Sequence, residues 1–313
     1  MATVSSLKTC LLNLEQPLGL RTHAAFHLRT INTNEACSAV CDALLQKEDS
    51  CLMRHELAYI LGQMQNTNAI PILTKILDDV SDDVLVRHEA AEALGAIGFI
   101  ESLQILEKYC SAEEPEVRET CQLAVDLIKW KKEEQEKQQQ LTDSSSSSSP
   151  TSVFASVDPA PPEDGIHSIE DLKATLNDVS LGLFKRYRAM FALRNANTDE
   201  SALALVSGFS DSSALVRHEI AYVLGQMQRS ITIPGLSEVL RNTNEHRMVR
   251  HEAAEALGAI GGSEVEEILA PFQEDPELVV SQSCDVALDT MNYWETFDAT
   301  ANTTTSEPGK AAR

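Results

Sequence analysis

Four copies of an Arg-His-Glu triplet recur along this chain, and histidine beside glutamate is a combination that can bind metal ions. The copies stand at His55-Glu56, His88-Glu89, His218-Glu219 and His251-Glu252. The interval between the first two histidines equals the interval between the last two, so the second set repeats the first at a constant offset. Imidazole nitrogen together with carboxylate oxygen suits iron and related transition metals. A helix that only has to pack does not require this pair at a fixed position.

The triplets lie within longer repeats. "VRHEAAEALGAIG" occupies residues 86–98 and again 249–261, while "MRHELAYILGQM" (53–64) matches "VRHEIAYVLGQM" (216–227). A block of several repeats has therefore been duplicated as a unit. A period in the low thirties, rich in Leu, Ala and Val and interrupted by Asp, Asn, Gly and Pro, is typical of stacked helix–turn–helix repeats. The sequence predicts an all-α, HEAT-like helical-repeat array (an α-solenoid) in two pseudo-symmetric halves of about four helix pairs each.

One repeat shows how the helix is specified. At 100° per residue, the apolar residues of the 86–98 copy form one stripe, predicted to be buried: Val86, Ala90, Ala93, Leu94 and Ile97. The acidic "SDDV" before it supplies a helix cap, and Gly98 marks the helix end. Pro71 suits the first turn of the preceding helix. Arginines of the triplets (Arg54, Arg87, Arg217 and Arg250) are expected to pair with Asp at repeat starts.

The chain divides into four predicted segments. Residues 1–130 and 166–295 are the two repeat halves. Residues 131–165 are Lys/Glu/Gln-rich, then serine-rich, then proline-rich, so they cannot bury a core and are predicted to be a disordered linker. Residues 296–313 are predicted to be a disordered tail.

Composition excludes some functions. The 313 residues carry a formal net charge of −23, which disfavours nucleic acid and anionic membranes and favours a cationic substrate or a basic protein. The seven cysteines show no CxxC pair or disulfide framework, which indicates a reduced, cytoplasmic protein. No apolar run approaches the ~20 residues of a membrane span.

The helix geometry constrains how the pairs could bind metal. His88 lies about 160° and Glu89 about 100° from the centre of the apolar stripe, so consecutive residues diverge and cannot both reach one ion. Histidines on neighbouring helices, roughly 10 Å apart, can share an ion. If the halves face each other, two sets of two histidines and one carboxylate arise, a combination that suits non-haem iron. The sets are His55, His88 and Glu219, and His218, His251 and Glu56; the alternative takes Glu89 and Glu252 as the carboxylate ligands.

The remaining polar residues could assist such a centre. With Glu56 and Glu219 as ligands, Glu89 and Glu252 would line the cleft and hold the ammonium groups of a cationic substrate. Glu92 and Glu255 follow the second histidine of each half by four residues and could hydrogen-bond to the ligand imidazoles. Tyr59 and Tyr222, at the same offset from the first histidines, are better explained by core packing.

With these motifs, the chain closely resembles the deoxyhypusine hydroxylase family over nearly its whole length, except the linker and tail. The resemblance implies a monooxygenase with two irons per chain and O₂ as co-substrate. It implies hydroxylation of the deoxyhypusine side chain on translation initiation factor 5A, in the cytoplasm, by a monomer that binds neither nucleic acid nor membrane. It also implies the ligand sets that include Glu56 and Glu219. Two alternatives are a non-enzymatic HEAT-like scaffold and a bilin-attaching lyase that shares the repeat frame; the four complete pairs disfavour both.

Overall fold

A computed structural model describes residues 3–140 and 154–301, and the chain divides into two compact units. The N-terminal unit is Met1–Pro161 and the C-terminal unit is Pro162–Arg313. All regular elements among the described residues are helices, which confirms the predicted all-α class. None of these helices is long and apolar enough to cross a membrane.

The described part of each unit contains eight α-helices. The N-terminal unit contains α1 (Val4–Leu12), α2 (Leu18–Ile31), α3 (Asn34–Leu44), α4 (Cys51–Met64), α5 (Ile70–Asp78), α6 (Val84–Ile97), α7 (Leu103–Tyr109) and α8 (Pro115–Gln140). The C-terminal unit contains α9 (Ile169–Asn177), α10 (Leu183–Ala196), α11 (Asp199–Val206), α12 (Ala214–Met227), α13 (Ile233–Arg241), α14 (Arg247–Ile260), α15 (Ser263–Leu269) and α16 (Leu278–Ala301). Short 3₁₀ turns occupy Thr67–Ala69, Ile100–Ser102, Ser207–Ser210, Ser230–Thr232 and Ala270–Glu274.

The helices of each unit form four consecutive pairs, as predicted. Helices α2, α4, α6 and α8 lie side by side in the N-terminal unit, and α1, α3, α5 and α7 pack against them as their partners. The same order recurs in the C-terminal unit with α10, α12, α14 and α16. The second helices of the pairs therefore form one continuous layer in each unit, and each layer carries two of the four His-Glu pairs.

The predicted helix signals are confirmed at the ends of α6. The Asp83 side chain caps its N-terminus by accepting a hydrogen bond from the Leu85 backbone N–H at 2.9 Å. Gly98 ends it with a φ of 73°, a left-handed conformation that glycine adopts without strain. Pro71 lies in the first turn of α5, where its missing N–H is not needed.

The repeated arginines hold neighbouring pairs together. Arg54 donates from Nε to the Leu44 carbonyl at 3.2 Å and from both terminal nitrogens to Asp82, at 2.5 and 2.7 Å. The two-pronged contact is the strong form of an ion pair, and it compensates for burying the guanidinium. Arg54 and Arg250 pair with Asp, as predicted. Arg87 and Arg217 pair with Glu instead. Among the described residues, the arginine pairs at corresponding positions of the repeats are Arg21–Asp49, Arg54–Asp82, Arg87–Glu114, Arg186–Asp211, Arg217–Glu245 and Arg250–Asp275.

Close glycine–alanine contacts set the distance between the helices that carry the histidines. A Cβ atom added to Gly62 on α4 would lie 2.9 Å from the Cα of Ala93 on α6, closer than carbon atoms can pack. Gly225 meets Ala256 in the same way in the C-terminal unit, again at 2.9 Å. Only glycine allows the two backbones to approach this closely.

Part of the segment predicted as a linker is ordered. Helix α8 continues to Gln140, and the backbone of Val157 pairs with the side chain of Gln63, donating to its Oε1 at 2.8 Å and accepting from its Nε2 at 3.1 Å. Ala160 is fully buried. We call residues 156–160 the strap segment. The composition of 131–165 gives no sign of this docking, because it depends on a glutamine 94 residues away.

The predicted tail also differs from the structure in its first residues, because α16 continues to Ala301. The serine-rich stretch at 141–153 and the tail residues 302–313 lie outside the described residues.

Replacing Gly62 by Ala should destabilise the N-terminal unit. The added methyl group forces α4 and α6 apart, and overpacking of this kind costs about 1–3 kcal/mol. Chemical denaturation measures the change. Gly182→Ala is the control, since nothing lies within 4 Å of its added Cβ; it should cost less than about 1 kcal/mol, the scale of a change at a helix N-cap. Equal losses in the two variants would show that the close contact does not limit helix spacing.

Replacing Gln63 by Ala should release the strap segment, because both hydrogen bonds to Val157 are lost. Hydrogen–deuterium exchange should then be faster at the Val157 amide than in the unmodified protein. Gln104→Ala, an exposed position on α7, is the matched control and should leave this amide protected. Unchanged exchange in the Gln63 variant would mean that other contacts hold the strap.

Candidate metal centre

The N-terminal unit brings the histidines of its two His-Glu pairs and one glutamate together. His55 on α4 and His88 on α6 have ring centroids 5.4 Å apart, and the Glu89 carboxylate lies 3.2 Å from Nε2 of His55. One ligand atom from each of the three residues lies within 4.8 Å of the other two. The repeat spacing has thus placed the two imidazoles side by side on neighbouring helices.

The C-terminal unit repeats this geometry. The rings of His218 on α12 and His251 on α14 are also 5.4 Å apart, and Glu252 lies 3.3 Å from Nε2 of His218. Glu255, on α14, lies 3.4 Å from Nδ1 of His251. The prediction that Glu255 could hydrogen-bond to a ligand imidazole is therefore supported by its position. Ser283 of α16 donates to the same Glu255 oxygen at 3.1 Å, a contact that the sequence analysis missed.

The depth of the His-Glu pairs corrects the sequence-based picture. The helical wheel places them at the side of the helix, away from the apolar stripe. His88 and His251 are instead completely buried, and Glu89 and Glu252 are only 3% and 6% exposed. A helical wheel gives the angle of a side chain but does not show how closely the neighbouring elements cover it. A buried carboxylate requires a partner, and each of these two lies against a histidine.

Each unit also contains the glutamate of its first His-Glu pair, which is Glu56 or Glu219. Glu56 lies 3.3 Å from Nδ1 of the adjacent His55, while Glu219 is 2% exposed. Within each unit the structure thus brings the second glutamate, Glu89 or Glu252, beside the histidine of the neighbouring helix. The choice of Glu56 and Glu219 as metal ligands stays a prediction.

The tyrosines match the packing explanation better than a direct role. Tyr59 is half-buried and packs against the apolar core of the N-terminal unit. The hydroxyl of Tyr222 accepts a hydrogen bond from Gln226 at 3.0 Å.

Neighbouring carboxylates shift the pKa values of titratable groups in the N-terminal cluster. Burial lowers the pKa of His55, but the charge of Glu89 and hydrogen bonds to Glu56 and Glu89 outweigh it, so the pKa lies well above its ordinary value. Burial raises the pKa of Glu92 well above normal, and the neighbouring charges of Glu89 and Asp158 add to the rise. Both shifts follow from carboxylates brought together where little water screens them, and without a cation this crowding favours the neutral form of Glu92.

These residues fit a transition metal. Neutral imidazole and carboxylate are the donor set of non-haem iron sites. Two nitrogens bonded to one metal ion at about 2.1 Å each are at most about 4.2 Å apart. The ligand atoms of His55, His88 and Glu89 lie within 4.8 Å of one another, so small side-chain rotations would bring them to bonding distance of one ion. A dication would also neutralise the buried negative charge.

Known proteins resemble both the fold and the site-bearing helices. A family model described as HEAT repeats matches residues 38–126 and 202–288. The deoxyhypusine hydroxylase of Drosophila melanogaster is 47% identical over 281 residues, covering 90% of this chain and 89% of the relative. The chain belongs to the deoxyhypusine hydroxylase family. The deoxyhypusine hydroxylase of Homo sapiens is 46% identical over 286 residues, covering 91% of this chain and 90% of the relative.

A solved structure agrees with this assignment. The structure of human deoxyhypusine hydroxylase in complex with glycerol aligns with a TM-score of 0.85 at 45% identity, covering 93% of this chain and 96% of that one. The resemblance inferred from the four His-Glu pairs is confirmed. A deoxyhypusine hydroxylase is an enzyme, so the scaffold alternative and the bilin lyase alternative are set aside.

Removing one histidine should remove one metal ion. Metal-free protein titrated with Fe(II) without oxygen should bind two ions per chain, and His55→Ala should bind about one, because His88 alone cannot hold the ion in its unit. Calorimetry and iron analysis measure the stoichiometry. His167→Ala, an exposed histidine outside the clusters, is the control and should still bind two. Two ions bound by the His55 variant would refute the ligand assignment.

Proposed function

We propose that this chain is an O₂-dependent di-iron monooxygenase that hydroxylates the deoxyhypusine side chain of translation initiation factor 5A to hypusine. The observation that carries the proposal is the matched pair of buried histidines with a carboxylate in each unit. Family membership supports the reaction and its substrate, since the relatives are named for this activity. Bound iron supplies the O₂ activation that an unactivated C–H bond requires.

The proposed iron ligands are six side chains, three for each ion. The histidine pairs provide two ligands to each ion and a glutamate provides the third. The six residues are His55, Glu56, His88, His218, Glu219 and His251. Glu89 and Glu252 are the second candidates, because each lies within hydrogen-bonding distance of a histidine Nε2 in its own unit. Burial of the histidines keeps competing water away from the ions and strengthens the bonds to them.

The proposed substrate contacts are Glu89 and Glu252. A deoxyhypusine side chain ends in an ammonium group and contains a secondary amine, so it carries positive charge along its length. Buried carboxylates bind such groups through charge-assisted hydrogen bonds, and burial makes these contacts stronger than they would be at the surface. The net charge of −23 would also favour encounter with a basic region of the protein substrate.

The compartment and assembly state are part of the proposal. All seven cysteines are free thiols, and a reducing compartment keeps thiols free. We propose that the enzyme acts in the cytoplasm as a monomer, without binding nucleic acid or membrane.

Paired glutamine variants separate iron ligands from substrate contacts. In an assay of factor 5A carrying deoxyhypusine, the unmodified enzyme should add one oxygen atom, measured by intact-protein mass spectrometry. Glu56→Gln should lose iron and with it turnover, because a carboxamide is a poor ligand. Glu89→Gln should keep two irons but raise the KM at least about 10-fold, as expected when a charged hydrogen bond is lost.

The matched pair also shows how the assignment would fail. Iron loss in the Glu89 variant with full iron in the Glu56 variant would exchange the two roles. Full iron in the unmodified protein with no added oxygen on factor 5A would contradict the proposed reaction itself.

A further inference from the structure

A chain of contacts reaches His251 from helix α16. The hydroxyl of Ser283 donates to Oε1 of Glu255 at 3.1 Å, and the same oxygen lies 3.4 Å from Nδ1 of His251. Ser283 and His251 are both completely buried, so their positions are fixed by the surrounding packing. Glu255 is the least buried of the three residues, since a quarter of its side chain is exposed. Without Ser283, the carboxylate of Glu255 could rotate towards solvent.

The chemistry of a metal-binding imidazole explains why this contact matters. A histidine binds a metal through one nitrogen, and a carboxylate that accepts the proton of the other nitrogen fixes both the tautomer and the ring plane. With Glu255 at Nδ1, the proton belongs on Nδ1 and the lone pair on Nε2 is left for the ion. The neutral imidazole is then held ready in the form that binds metal.

The N-terminal unit has the corresponding residues but not the same connection. Thr120 corresponds to Ser283, and Glu92 to Glu255, by the same offset that relates His88 to His251. Thr120 is only 2% exposed, yet its hydroxyl has no hydrogen-bond partner among the described residues. Instead, Thr120 lines a small cavity with Glu92 and with Pro159 of the strap segment. The two duplicated positions therefore make different contacts.

We propose that Ser283 and Glu255 are positioning residues for His251, and that this relay operates in the C-terminal unit and not through Thr120 in the N-terminal unit. Ser283 fixes Glu255, Glu255 fixes the tautomer and plane of His251, and His251 presents Nε2 to the metal. The inference rests on the proposed function only for the identity of the metal ion, which that function takes to be iron. The tautomer itself is a property of the metal-free protein.

The test compares two serine-position variants and one glutamate variant. In metal-free protein labelled with ¹⁵N-histidine, NMR should show the His251 proton on Nδ1. Ser283→Ala should convert this into a mixture of tautomers, and Ser283→Thr, which keeps a hydroxyl, should restore the original signal. Glu255→Gln keeps the shape of the side chain and removes its charge, so it tests the second contact without creating a cavity.

Metal affinity provides the second readout. Calorimetric titration of metal-free protein with Co²⁺ should show one of two sites weakened on the order of 10-fold by Glu255→Gln, the lower end of the range for carboxylates behind a ligand histidine. Ser283→Ala should weaken the same site by a few-fold, and the threonine variant should recover it. None of these variants should change the Co²⁺ affinity of the other site.

Thr120→Val is the matched control. It removes a buried hydroxyl that makes no hydrogen bond, so the His88 signals and both affinities should stay unchanged and the stability should be equal or higher. An unchanged His251 tautomer and unchanged affinities in Ser283→Ala would overturn the relay, as would equal effects of the alanine and threonine substitutions at Ser283. Absence of any metal binding by the unmodified protein would instead contradict the proposed function, while the tautomer measurement would still decide the relay.

Discussion

The geometry of each histidine cluster depends on the close contact between two parallel helices. At Gly62 and Ala93, and again at Gly225 and Ala256, the backbones approach to a distance that a Cβ atom would prevent. Because close-packed interiors cannot stretch to accommodate an extra methyl group, this contact sets the separation of the two helices. The imidazoles, one to two turns away along the same helices, are consequently held with their ring centroids 5.4 Å apart.

A second constraint is the placement of buried charge. The arginines that recur at corresponding positions of the repeats are mostly buried, and each meets a carboxylate of the next repeat and, in most cases, a backbone carbonyl. These charges are compensated and serve to align successive helix pairs. The N-terminal His-Glu cluster differs, because more carboxylates than cations meet there, and their repulsion together with burial raises the pKa of Glu92 well above normal. One set of buried charges holds the array together, and the other leaves an excess that suits a cation.

The sequence predicts those features that depend on short-range rules. Helix pairing, the cap at Asp83 and the end at Gly98 follow from local residue preferences, and the repeat spacing places His55 beside His88. The approach of Glu89 to His55 depends on the rotation of α6 relative to α4, which a helical wheel for one helix does not contain. The docking of Val157 onto Gln63 is likewise invisible in composition, because two side-chain hydrogen bonds outweigh the flexibility expected of a proline-rich segment. Ser283 was missed because its partner, Glu255, lies on a different helix.

The central claim is that the paired histidines hold two irons, and anomalous X-ray scattering at the iron absorption edge tests it most directly. Crystals of protein loaded with iron should give two strong peaks per chain, one within bonding distance of His55 and His88 and the other within bonding distance of His218 and His251. Peaks located away from these four imidazoles, or iron-loaded crystals that scatter from one position only, would contradict the account.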